Sequence, residues 1–328
     1  MRYLHRLLAC AAALSTVFSS AVYSQGAADS FPSKPVTLVV PYAPGGPAGT
    51  ETHIYAGKMS SVMGQQFIVD FKPGAGTVIG SAYVAKAAPD GYNLLVVTGS
   101  LTVFPALFKD LTFDTIKDFA PVSLMSQRTS VLLVSPTFPA KTFAEYIAHV
   151  KANPGKLNFG TAGAGSITHL AGAWLDGATR TKVTFVHYKG TGPIYPDLFA
   201  GRVDATAAGL LDALPHIKAG KVRALAVMGE DQSSLLPGVR TISEQGIPGY
   251  NYISWLGFSA TGGTPTAIVN KLSEAFAKVA KSPDVAGPLE AQGGKMIGST
   301  PAQLSRLIVT EVERWQKVVQ ENSIKLEQ

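Results

Sequence analysis

Residues 38–47, LVVPYAPGGP, place the strongest limit on what this chain can fold into. The apolar run Val36–Val40 ends at Pro41 and opens into a loop with two adjacent glycines, followed by a helical pattern. A Val-rich strand that passes straight into a Gly-rich loop and a helix is the unit of a parallel α/β sheet. Ligands of such sheets collect at the carboxyl ends of the strands. Gly45 and Gly46 let backbone N–H groups approach a ligand with no side chain in the way. The helix behind them turns its positive end to the same spot. Tyr42, Pro44, Gly45, Gly46 and Pro47 therefore read as a carboxylate or phosphate cradle with little or no side-chain charge, stiffened by its prolines. A second such loop, Gly160 to Ser166, offers Thr161, Ala162, Gly163, Gly165 and Ser166. Two cradles in one chain imply a molecule gripped from both sides.

Strand and helix signals alternate along the rest of the chain, which argues α/β throughout. Strands are expected at 66–71, 94–98, 157–160, 183–188 and 222–227, and helices at 50–63, 77–87, 143–152, 166–175, 194–200, 212–218, 265–281 and 301–322. About 300 residues are more than one core usually takes, so two domains are expected. No Ser/Gly tract or low-complexity segment links them. Two long β-rich segments, 119–136 and 250–259, are the candidates to cross between lobes. The first lobe would then be discontinuous, 25–125 with 256–328, and the second, 126–255, inserted in it. Two lobes joined by two strands make a hinge with a ligand cleft between them.

The first 24 residues carry Arg2, His5 and Arg6, then an apolar core, then small residues, and no acid occurs before Asp29. This is the pattern of a cleaved secretory signal, with the cut after Ser24. No later stretch has the uninterrupted apolar length of a membrane span. Cys10, the one cysteine of the chain, leaves with the signal, so disulfides, thiol chemistry and Cys-ligated metals are not expected. The formal charge is +6 for the full chain, falling to +4 once Arg2 and Arg6 are gone. Its basic residues are dispersed and not interleaved with aromatics, which argues against nucleic-acid binding.

Other motifs are weaker. The run Gly74 to Gly80 resembles a dinucleotide fingerprint only superficially, with one residue too many before its third glycine. Ser166 with His169 invites a hydrolase reading, but no G-x-S-x-G elbow occurs and no acid is placed to orient the imidazole, so His169 is expected to join the second cradle in meeting a ligand. The histidines lack metal-binding spacing, so neither a metal nor another cofactor is expected. His187 to Gly192 is a third polar loop, from which Tyr188, Gly190 and Thr191 could wall a cleft. Thr98, Gly99 and Ser100 follow a strand that should end at the cleft, where they read equally as a ligand-binding loop and as a plain turn.

The chain resembles the extracytoplasmic solute receptors of the tripartite tricarboxylate transporters, often called the Bug family. The resemblance rests on FPSKPV at 31–36, VPY at 40–42 with GGP at 45–47, KPGAG at 72–76, APDGY at 88–92, KDFAPV at 117–122, NPGKLNFG at 153–160, YKG at 188–190, LPHIKAGK at 214–221 and GGTP at 262–265. These run in order along the whole mature chain. The resemblance implies a two-lobed periplasmic binding fold of the type II, Venus-flytrap kind, closing on a small carboxylate held by the two Gly-rich loops, partly through water. It implies a receptor that hands its ligand to a membrane permease, and the chain is expected to work as a monomer. A lobe reporting to a sensor kinase would use the same closure. Where the family commonly has Asp and Arg, this chain has Gly49 and His53, which disfavours an amino-acid ligand. In the later loop Ala207 to Leu211, Gly209 and Leu210 present apolar surface; with Tyr42, Tyr188 and Tyr195 this points to an aromatic or long aliphatic acid.

Overall fold

Strand β1 (Val36–Val40) is buried at every position but one. It pairs in parallel with β2 (Phe67–Phe71) and β3 (Asn93–Thr98), in register Val36 to Phe67 and Thr37 to Asn93. A strand buried on both faces needs helices on both sides. Here they are α1 (Pro47–Met63), α2 (Val78–Ala85) and α3 (Gly99–Leu107). The structure, a computed structural model, describes residues 30–322 and 324; the expected signal segment lies outside them.

A second parallel group follows: β5 (Asn158–Thr161), β6 (Thr184–His187) and β7 (Ala205–Gly209), in spatial order β6, β5, β7. Its helices are α4 (Phe143–Ala152), α5 (Ile167–Thr179), α6 (Ile194–Phe199) and α7 (Leu210–Lys218).

One long strand joins the two groups. β4 (Phe119–Val134) pairs antiparallel with β9 (Ile253–Thr261) from Phe119 to Thr129, then with β7 from Ser130 to Val134. β8 (Arg223–Val227) also pairs with its second half. The change of partner falls between Thr129 and Ser130. The return crossing is pinned at the same level, where the Ser254 N–H donates to Ser130 Oγ and the Tyr252 N–H to the Met228 carbonyl. The fold is thus two-lobed α/β, with a hinge of two crossing strands. The C-terminal helices are α8 (Thr266–Ala280), α9 (Pro283–Glu290) and α10 (Pro301–Glu321). α10 opens with a capping box of Thr300 and Gln303, with Pro301 in its first turn.

Three elements differ from expectation. Residues 98–100 are not a turn: Thr98 caps α3, its Oγ1 accepting the Ser100 N–H at 3.3 Å. Residues 99 to 104 are all buried, so no polar stripe marks the helix in the sequence. α1 begins at Pro47, since proline fits a first helical turn, where it has no N–H to leave unpaired. α7 begins at Leu210, with Gly209 at its N-cap and Asp212 in its first turn.

Candidate functional site

Four βα units aim at one place. β1 leads to α1, β3 to α3, β5 to α5 and β7 to α7. The first residues of all four helices, or their caps, line a single cavity: Gly46 and Pro47, Thr98 and Gly99, Ile167 and Thr168, and Gly209. Its free space is about 620 Å³, part of it open to solvent. A helix start leaves backbone N–H groups without intrahelical acceptors. In α1 the first such bond runs from Thr50 N–H to the Gly46 carbonyl, so the N–H groups of Ala48 and Gly49 precede it, and both residues line the cavity.

The floor is the hinge. Arg128 on β4 and Tyr252 to Trp255 on the return crossing complete the lining. Among the described residues that line it, Arg128 is the one charged side chain. It is only 2% exposed, and its Nη1 donates to Glu51 Oε1 at 2.7 Å. Glu51, in α1, also accepts from Ser126 Oγ at 2.7 Å and Tyr55 Oη at 3.3 Å. The Nε of Arg128 has no partner.

Tyr42 Oη joins this lining to the strand ends, at 2.7 Å from Thr98 Oγ1 and 2.9 Å from Ser100 Oγ. Burial pushes its phenol up, opposed by these hydroxyls and by Arg128. It stays a neutral hydroxyl.

Of the residues expected from sequence to meet a ligand, Tyr42, Gly46, Pro47, Thr98, Gly99, Ala162, Thr191 and Gly209 line the cavity. Pro44, Gly45, Ser100, Thr161, Gly163, Gly165, Ser166, His169, Tyr188, Gly190 and Leu210 are not among its lining residues, and several have another task. Ser100 Oγ accepts the Ile167 N–H across the two lobes at 3.1 Å. Thr161 Oγ1 pairs with His187 Nδ1 at 2.7 Å. Ser166 caps α5 by accepting the His169 N–H. Its Oγ also pairs with Thr168 Oγ1, and the ring of His169 instead accepts from the Gly165 N–H. No Ser–His pair of the hydrolase kind is formed. Burial, helped by nearby His187, pulls the His169 imidazole down to about 4. Leu210 is fully buried in the second lobe's core.

The aromatic wall also differs from expectation. Tyr188 Oη donates to Asp197, and Tyr195, 6% exposed, donates to Asp212 and packs on His216. Tyr252 and Trp255 line the cavity in their place. They were missed because a hinge strand reads as architecture, although a strand crossing between lobes must form the cleft floor. Arg128 had a signal too: it is the lone charged residue in the sixteen of β4.

The lobes touch around the cavity mouth through glycine. The Ala43 N–H donates to the Lys189 carbonyl at 2.6 Å. A Cβ on Gly192 would sit 2.6 Å from the Gly45 carbonyl carbon, and one on Gly76 2.1 Å from the Ala164 oxygen. Only backbones without side chains come this close. Gly49 opens no space but lets a ring pack close: a Cβ there would meet Phe71 at 2.9 Å.

Comparison with known proteins agrees with this geometry. The family model described as "Tripartite tricarboxylate transporter family receptor" matches residues 53–324. A curated relative from Pseudomonas sp. strain P51, the "UPF0065 protein in tcbD-tcbE intergenic region", is 38% identical over 294 residues, 89% of this chain and 88% of its own. Among solved structures, the periplasmic binding protein BugD superposes with a TM-score of 0.87 at 29% identity, over 90% of this chain and 99% of its own. The Rpa4515 protein of R. palustris, solved with adipate, gives 0.85 at 32% identity over 90% and 99%. MatC of Rhodopseudomonas palustris, solved with bound malate, gives 0.85 at 33% identity over 88% and 100%. No described helix is long and apolar enough to cross a membrane. The chain belongs to the receptors of the tripartite tricarboxylate transporter family, two-lobed periplasmic solute-binding proteins.

Proposed function

We propose that this chain, exported by a signal cleaved after Ser24, captures a small organic carboxylate between its lobes and delivers it to a membrane permease. One observation carries the reading: four helix N-termini converge on one cavity. Each brings about half a unit of positive charge, and α1 keeps the N–H groups of Ala48 and Gly49 ahead of its first intrahelical bond, which suits holding an anion without a lysine. Two relatives of similar fold were solved with carboxylates, adipate and malate.

The loops at 42–47, 98–100, 161–166 and 188–191 hold the carboxylate, directly or through water. Ligand that touches both lobes favours the closed arrangement, and a permease recognises it. Lobe 1 comprises 25–125 and 256–328 and lobe 2 comprises 126–255, a division supported by the change of β4 partners at Thr129 and Ser130. The receptor acts as a monomer and catalyses nothing. No Asp or Glu is among the described lining residues, and the one carboxyl near the floor, Asp212, stands behind Gly209 rather than at the 42–47 loop, which favours an aromatic or dicarboxylic acid over an amino acid with its ammonium beside its carboxylate.

A thermal-shift screen of the mature protein tests this. A panel of citrate, succinate, glutamate, nicotinate, benzoate, terephthalate and adipate should raise the melting temperature with concentration for at least one acid. A shift with glutamate alone would reverse the order of preference. A shift with none of them, on protein unfolded and refolded to strip bound ligand, would sink the carboxylate reading.

A further inference from the structure

Beside the hinge end of the cavity, three buried side-chain atoms have no partner: one is the indole donor Trp255 Nε1, and the other two are of opposite sense and share one point. Arg128 Nε is a donor, and Asp212 Oδ1 is an acceptor. Both side chains border one point. A Cβ placed on Gly209, which lines the cavity, would lie 3.3 Å from Asp212 Oδ1 and 4.0 Å from Arg128 Cδ. Other atoms of the two groups are already engaged: Arg128 Nη1 with Glu51 at 2.7 Å, and Asp212 Oδ2 with the Tyr195 hydroxyl at 2.7 Å. Buried polar atoms are almost always hydrogen-bonded, so a donor and an acceptor left open together at a cavity call for a ligand group that supplies both.

The charges narrow that group. Arg128 brings one positive charge, while Glu51 and Asp212 bring two carboxylates. Burial pushes Asp212 up to about 6, with Tyr195 and Arg128 opposing, so it is mostly ionised at neutral pH. A second ligand carboxylate would place a third anion on a single guanidinium and offer no hydrogen to Asp212. An ammonium group would meet Asp212 but leave Arg128 Nε unpaired.

We propose that the hinge end of the cavity is a second polar subsite, one that takes a neutral group with both a donor and an acceptor, such as a carboxamide, at the end of the ligand remote from its carboxylate. The carbonyl oxygen accepts from Arg128 Nε–H and the amide N–H donates to Asp212 Oδ1. Glu51 holds the guanidinium in place from the other side. This rests on the reading that the helix N-termini hold a carboxylate. It separates this receptor from one built for a diacid.

Calorimetric titration of the mature protein near neutral pH tests it with two matched sets: adipate, adipate monoamide and hexanoate, and terephthalate, terephthalate monoamide and benzoate. In whichever set binds, the monoamide should bind about tenfold or more tightly than both the diacid and the plain acid. Asp212→Asn, which retains an acceptor for Tyr195, should narrow the gap between monoamide and diacid, because the competing charge is gone. A diacid that binds more tightly than its monoamide, with the ratio unmoved by Asp212→Asn, overturns the subsite and leaves the carboxylate reading intact. A plain acid that matches the monoamide overturns it too, since the hinge end would then contribute nothing. Binding of adipamide or terephthalamide, with none of the acids, would remove the carboxylate reading and this inference with it.

Discussion

The two ends of the cleft are built from opposite materials. At the mouth and along the strand ends, the lining is helix starts, glycines and neutral hydroxyls, with no charged side chain among the described lining residues there. At the hinge, a guanidinium and a carboxylate are buried together, 2% and 1% exposed, with a second carboxyl close by. Backbone donors are fixed by the fold and suit whatever carboxylate enters. Side chains at the hinge can change one at a time, so on the subsite proposed above that end would be where ligands are told apart.

The hinge end should be the more fragile. Arg128→Met leaves Glu51 buried without its cation, at a cost of about 3–5 kcal/mol. A large fall in the urea midpoint is expected, and Glu51→Leu added to it should restore most of the loss. Stability unchanged in the single variant would mean that water reaches Glu51 and that the two ends differ less than argued here.

A pH series sets the ends against each other. His169, at the loop end, is pulled to about 4 from its ordinary 6.5. Between those values the unfolded chain binds more protons, so stability falls as pH drops through this window. Asp212, at the hinge end, is pushed to about 6 from its ordinary 3.8. There the folded chain binds more protons, so stability rises as pH drops from about 6 toward 4. The two largely cancel in the wild type. His169→Gln should make the protein gain stability on acidification to about pH 5, and Asp212→Asn should make it lose more, each by on the order of 2–3 kcal/mol at most. Denaturant midpoints across pH read both, and parallel curves for the two variants would contradict the assignment.

Closure depends on the glycine seam. Gly192→Ala drives a Cβ against the Gly45 backbone, which cannot move aside as a flexible side chain would. A penalty of about 1–3 kcal/mol on the closed state is expected, or roughly 5- to 150-fold in ligand affinity. The melting temperature without ligand should hardly change, because an open receptor avoids the clash. Small-angle scattering should report a wider particle. Full affinity in this variant would mean that the lobes need not meet at Gly45.

The smallest effect belongs to a cap. Ser166→Ala removes the acceptor for the His169 N–H and a partner of Thr168 Oγ1. About 1 kcal/mol of stability should go, with a modest loss of affinity. Complete loss of binding would instead give the Ser166 hydroxyl a direct place in the site.

The loop end was legible because its determinants are local. A Val-rich strand, a glycine pair and a proline at a helix start sit within ten residues of each other, and the second cradle repeats the logic at 160–166. Even the crossing strands were legible, from the length of one β-rich segment and the position of another. The helix at Gly99–Leu107 was not, because a helix buried on all sides has no polar stripe.

Sequence by itself therefore determined the α/β class, the hinge strands and the strand–loop–helix units around the cavity, since strand period, turn chemistry and helix starts are set by neighbouring residues. Tertiary structure alone decided what the cleft floor is made of. Glu51, Arg128 and Asp212 are 77 and 84 residues apart along the chain. They meet only because α1, β4 and α7 fold onto one hinge, and no periodicity reports a contact between a helix in one lobe and a helix in the other. The same holds for the tyrosines. Spacing could nominate Tyr188 and Tyr195 as a wall, but packing turned both toward acids and gave the wall to Tyr252 and Trp255.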